Sequence, residues 1–187
     1  MDYYNKRNIM KNTITLLALV FCYVAFSQEK KSTKTGEITF EASVPAFEEV
    51  KATNKSVSCI LNTQTGEIAT LALIKGFRFK VALMEEHFNE NYIESSKYPK
   101  SIFKGKIENF DVSKLTETAQ KYAITGTLEL HGKKKEITSI ALIKKNGTTI
   151  DIKNDFKVNV DDFNIEIPSV VSKKLSKEVA VKCHFTL

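Results

Sequence analysis

The chain has 187 residues, 42% hydrophobic and 27% charged, with a formal net charge of +6. That length suits one domain and is short for two. Its lysines are scattered, with small groups such as "GKKKE" at Gly132 to Glu136, and not gathered into the basic stripe that nucleic-acid binding needs.

The chain opens with Lys6, Arg7 and Lys11, followed by the apolar run "ITLLALVFCYVAF" from Ile14 to Phe26. About a dozen apolar residues is the length of a signal-peptide core, whereas a membrane span needs roughly 20. Ala25 and Ser27 stand three and one positions before a cut after Ser27. Residues 1–27 therefore read as a cleaved signal peptide, with the mature protein periplasmic or secreted and not stably inserted in the membrane. Cys22 invites a lipoprotein reading, but Phe21 occupies the place where that processing signal needs a small residue. Residues 28–35 ("QEKKSTKT") are polar and read as a flexible N-terminal tail, and residues 36–187 as the domain.

Within the domain, period-two alternation recurs. In "GEITFEASV", Ile38, Phe40, Ala42 and Val44 alternate with polar residues, and Pro45 ends the run. "NKSVSCILN" and "EIATLALI" flank a loop containing Gly66 and read as a hairpin. "GFRFKVAL" sets Phe77, Phe79 and Val81 against Arg78 and Lys80. From Glu85 to Ser96 the alternation stops. Phe88, Tyr92 and Ile93 fit one side of a short helix or irregular excursion, which Pro99 ends. Strands resume with "SIFKGKIENF", "QKYAITGTLELHG", "KEITSIALIKKNG", "TTIDIKNDFKVNV" and "KEVAVKCHFTL", separated by the turns "HGKK" and "KNGT" that join antiparallel neighbours. "SVVSKKLS" reads as a second short helical piece. About eight strands with no βαβ spacing predict an all-β sandwich or barrel, and a closed barrel of that size has room for one ligand. By alternation Phe40, Phe77, Phe79, Phe103, Leu128, Phe156 and Phe185 point inward. The 12 Phe suit a filled core equally well.

Catalytic and metal readings are thin. His131 sits in a turn beside Gly132, and His184 alternates with the dry face of the last strand and should face solvent. No GxSxG, GxxxxGK[ST] or GxGxxG occurs. Asp161 and Asp162 lie in a loop. His87, Glu90 and Glu94, at i, i+3 and i+7, share one helical face and are one histidine and two carboxylates. There is no HExxH, and a solvated acidic face with His87 as a polar contact explains the segment as well. Cys59 and Cys183 are too few and too far apart for a zinc motif; a disulfide and two buried free thiols both remain open.

The ordered elements "HFNENYIESSKYPKSIFKGKI", "ITGTLELHGKKKEI" and "FKVNVDDFNIEIP" resemble the YceI-like family of bacterial envelope proteins. The matching positions are His87, Phe88, Tyr92, Lys97-Tyr98-Pro99 and Phe103-Lys104-Gly105. Further on they are Gly126-Thr127-Leu128, His131-Gly132, Phe156, Val158 and Asp162-Phe163-Asn164-Ile165. Glu85-Glu86 stands where members usually carry Arg-Asp, and the first-strand region is shorter and lacks its own histidine, as in members of the Bacteroidetes type. The resemblance implies a lipocalin-like antiparallel barrel of about eight strands with one or two short helical excursions. It also implies an apolar tunnel for a long isoprenoid lipid, either a quinone tail or a polyprenyl chain, with no other cofactor and no catalysis. In that picture Phe40, Phe77, Phe79, Phe103, Leu128, Phe156 and Phe185 line the tunnel, and Phe88, Tyr92 and Tyr98 form a plug or rim. His87 is then a polar contact. The competing reading is an envelope interaction module with a filled barrel. The residues leave the oligomeric state open, a homodimer included.

Overall fold

The computed structural model describes residues 30–187. The signal-peptide expectation for residues 1–27, and the tail positions 28 and 29, lie outside the described residues. Eight long strands form one antiparallel sheet: β1 (Lys30–Ser43), β2 (Lys51–Asn62), β3 (Glu67–Leu73), β5 (Lys100–Ile107), β6 (Gln120–Leu130), β7 (Lys133–Asn146), β8 (Thr149–Asn159) and β9 (Leu175–Thr186). Their order is β1-β9-β8-β7-β6-β5-β3-β2, and a further β1–β2 pairing closes the barrel. A two-residue strand, β4 (Arg78–Phe79), adds to β2 through Ala52↔Phe79 and Thr53↔Arg78.

Neighbouring strands are joined by short connections wherever the sequence supplies turn residues. β6 and β7 stay in register from Gln120↔Ile143 to Leu130↔Lys133. His131 and Gly132 between them both take positive φ, 50° and 71°, the turn whose twist matches a hairpin.

Three expectations need correction. Residues 30–35 are not a tail; they are the start of β1. Their polar character does not oppose a strand, because β2 lies alongside to pair with β1, and Lys31 Nζ donates to the Thr148 carbonyl. "GFRFKVAL" is not a full strand. Only Arg78 and Phe79 pair, and a helix, α1 (Ala82–His87), begins three residues before Glu85 and runs into a π-helical turn at Phe88–Tyr92. Glu85 enforces this: its carboxylate accepts from Arg78 Nη1 (2.8 Å) and from the Phe79 amide (3.2 Å), giving that amide the partner a strand would have supplied. Val81, expected beside Phe77 and Phe79, is exposed. Finally, "SVVSKKLS" is not a helix: Ser169 to Lys174 form successive turns, with bonds such as Lys174 N to Val171 O (2.8 Å), and Leu175 and Ser176 already begin β9. The helical turn of this connection is a 3-10 turn at Val160–Phe163, capped by Asn159 Oδ1 on the Asp161 amide (3.0 Å).

The barrel interior is divided along its axis. One end is solid: Val57, Cys59, Leu61, Ile107, Ala141, Ile143, Ile150 and Ile152 are each at most 1% exposed. The other end holds a second apolar cluster of Ile74, Ile93, Leu128, Val160, Phe163, Ile165 and Val179. The β1–β2, β4–β5, β6–β7 and β8–β9 connections gather at that second end, because consecutive strands alternate in direction.

Candidate functional site

A cavity of about 450 Å³ lies between the solid end and the open end. Ile68, Ile124, Ile152, Cys183 and Phe185 line its deep part, where the solid core begins. Ala72, Val158, Val179 and Val181 join the wall, and Phe47, Glu48, Met84, Val171, Lys174 and Ser176 surround the mouth. The wall is apolar because successive interior positions in β8 and β9 fall on alternate residues: Ile152, Asn154, Phe156 and Val158 in one, Val179, Val181, Cys183 and Phe185 in the other.

Phe40, Phe77, Phe79, Phe88, Tyr92, Phe103, Leu128, Phe156 and Phe185 all line this cavity, and His87 lies at its edge. Four rings form a cage. Phe40 stands 5.2 Å from Phe77, 5.7 Å from Phe79 and 5.2 Å from Phe88, centroid to centroid, and Phe79 is 5.3 Å from Phe88. Tilted and edge-on geometries at these distances are the favourable ones for aromatic pairs, so the cage binds the α1 excursion to the barrel wall.

Phe103 is placed by two glycines. Gly105 and Gly126 face each other across β5 and β6, and a Cβ on either would come within 2.6 or 2.7 Å of the Phe103 Cζ atom. Only the missing side chains let the ring fold over that pair.

Tyr98, expected at the rim, instead packs edge-on against His131 with centroids 4.4 Å apart. His131 itself is a structural tie that sequence reasoning missed. Its Nδ1 lies 3.0 Å from the Phe163 carbonyl oxygen and its Nε2 3.0 Å from Glu94 Oε2. It thereby links the β6–β7 turn, the β8–β9 connection and the excursion. Both partners are acceptors, so only the doubly protonated ring donates to both. Nothing in the local sequence announces a bond between residues 37 positions apart. His131→Ala strips partners from the Phe163 carbonyl and is expected to cost about 1–3 kcal/mol, read as a lowered denaturation midpoint. An unchanged midpoint would mean that the tie carries no load.

The engagement of Glu94 with His131 takes it away from His87 and Glu90. Among the described residues no group of three or more His, Cys, Asp or Glu side chains is placed to hold a metal ion. His184 faces outward, with Nε2 2.6 Å from Asp151 Oδ2. Asp161 and Asp162 pair with Lys177 (2.9 Å) and Lys135 (2.8 Å).

Asn154 is a polar residue in the wall that alternation alone could have flagged, since it shares parity with Phe156. Its Nδ2 donates to Ser139 Oγ at 2.9 Å, and its buried Oδ1 has no hydrogen-bond partner among the described residues.

Cys59 and Cys183 are free, buried thiols. Burial pushes each up to about 12, because a thiolate loses its hydration there. In the unfolded chain thiols ionise near 8.5. Above that pH the unfolded state binds fewer protons than the folded state, so stability falls as pH rises. Both thiols are expected to resist an aqueous thiol reagent at pH 8 until denaturant is added, and their contribution to stability is expected to be complete below about pH 8 and lost between about 9 and 12. Rapid labelling of the native protein would contradict the burial.

Fold and cavity together define a lipocalin-like barrel: a closed, eight-stranded antiparallel sheet around one apolar pocket. Residues 25–187 match the YceI-like domain, and the chain belongs to that family. Three solved structures share the fold. A polyisoprenoid binding domain from Saccharophagus degradans, implicated in plant cell wall breakdown, is similar with a TM-score of 0.74 at 15% identity, covering 84% of this chain and 97% of that one. Burkholderia cenocepacia BcnA gives 0.68 at 17% identity, over 81% and 96% of the two chains. A Campylobacter jejuni YCEI protein gives 0.62 at 18% identity, over 77% and 87%. No curated protein matches the chain in sequence.

Proposed function

We propose that this protein is a non-enzymatic carrier that binds the chain of an isoprenoid lipid, a quinone tail or a polyprenyl chain, inside its barrel. The observation that carries this reading is the apolar cavity, closed by a solid core at one end and open at the other. Burial of lipid surface supplies the affinity, at roughly 25 cal/mol per Å² removed from water. Phe40, Phe77, Phe79, Phe88, Tyr92, Phe103, Leu128, Phe156 and Phe185 are proposed as contacts to the chain, and His87 as a polar contact near its head. The Saccharophagus domain, described as polyisoprenoid binding, supports the choice of ligand class. Lys6, Arg7 and Lys11 ahead of an apolar run support export to the periplasm or beyond.

A barrel filled by its own side chains would favour the envelope-module reading; the empty volume favours the carrier. Native mass spectrometry and organic extraction of the protein from its own host provide the test. The expected result is a co-purified lipid of defined mass. Protein that emerges clean and also refuses added quinone would overturn the proposal.

A further inference from the structure

Eight large hydrophobic residues are exposed among the described residues, and five of them, Phe47, Leu73, Val81, Leu83 and Val170, lie on the connections or strand end at the mouth of the barrel. Single exposed apolar side chains are ordinary; their concentration around the opening of an apolar cavity is not. Val170 is 84% exposed, Leu83 57% and Phe47 47%. Phe47 also lines the cavity, as do Met84 next to Leu83 and Val171 next to Val170. The outer apolar tips at Phe47, Leu83 and Val170 therefore adjoin the inner apolar surface, at a rim that also carries Glu48, His87, Lys174 and Ser176.

Charge identifies what they meet. Lys173 and Lys174 follow directly, and among the described residues no carboxylate pairs with either. Lys80 and Lys177, by contrast, are held by Glu49 and Asp161. Apolar tips beside uncompensated lysines are the pattern by which proteins settle on anionic membranes, the apolar groups entering the headgroup layer and the lysines meeting phosphates. We propose that the mouth of this barrel docks on the surface of a bilayer bearing anionic head groups, so that lipid passes between membrane and cavity without crossing water. This rests on the reading of the cavity as a lipid site. Glu48, Glu86, Glu90 and the exposed Glu166 oppose such a surface, so the closest approach is through residues 168–174, where Lys173 and Lys174 follow the exposed Val170.

The test is co-sedimentation with vesicles of phosphatidylcholine alone and of phosphatidylcholine with phosphatidylglycerol. The protein is expected to bind the anionic vesicles more tightly, and added salt to weaken that binding. Neither Val170 nor Lys173 lines the cavity, so substitutions there leave the cargo site intact. Val170→Ser is expected to weaken vesicle binding about tenfold, and Lys173→Glu about fivefold or more. Equal weak binding to both vesicle types would overturn the docking surface. So would unimpaired binding by both variants, or loss by V170S of self-association or of a protein partner in place of vesicle binding. Native mass spectrometry of the same samples separates the two ideas. Lipid cargo without vesicle binding defeats the docking surface alone, and vesicle binding without cargo defeats the carrier reading.

Discussion

Val181→Trp is expected to leave the protein folded and to remove most of its lipid binding. Val181 lies in β9 between Phe40 of β1 and Phe156 of β8, half-buried and facing the cavity. An indole there projects into empty volume of about 450 Å³, so it escapes the strain that extra atoms cause in a filled core. It occupies space that the lipid chain would use. Displacing about 100 Å² of ligand contact, at ~25 cal/mol per Å², costs about 2.5 kcal/mol, or roughly 70-fold in Kd. Titration with a quinone, with circular dichroism as the check on folding, reads the effect. A folded variant that takes up lipid as well as the parent would move the binding site out of the barrel.

Gly126→Val is expected to be the most damaging single change to stability. A Cβ at residue 126 would stand 2.4 Å from the Gly105 Cα and 2.4 Å from the Lys104 carbonyl oxygen. Those neighbours are backbone in the adjacent strand and cannot rotate away. Relief requires prising β5 from β6 or driving the Phe103 ring off the glycine pair. Overpacking ordinarily costs 1–3 kcal/mol, and against backbone about 3 kcal/mol or more is expected, a large share of the roughly 5–15 kcal/mol that holds a domain together. Urea denaturation measures it, and an unshifted midpoint would mean that the two strands have room the geometry denies.

The same glycine pair shows how much was legible beforehand. Phe103-Lys104-Gly105 and Gly126-Thr127-Leu128 stand out as sequence elements, yet nothing in either says that they face each other. Their pairing comes from the β5–β6 register. The inward set of Phe40, Phe77, Phe79, Phe103, Leu128, Phe156 and Phe185 was readable because alternate residues of a strand share a face. β2 shows where that rule slips. Ala52 and Asn54 are buried at even positions and Val57, Cys59 and Leu61 at odd ones, so the face changes inside one strand. The strand at residues 30–35 depends on a partner rather than on their own polar composition, so composition alone reads them as a tail. α1 starts earlier than the break in alternation implies, because Glu85, six residues on, accepts from the Phe79 amide.

By itself, the two-residue period with turns such as His131-Gly132 determined an antiparallel all-β fold, sandwich or barrel, and most of the side chains that point inward; the choice of a barrel came from the ordered motifs shared with the YceI-like family. Tertiary structure alone decided that the interior is solid at the Val57–Ile143 end and hollow near Val181. The same apolar residues serve a filled core and a lined cavity. Which one results depends on how barrel closure spaces their tips, and the alternation of a single strand carries no record of that distance.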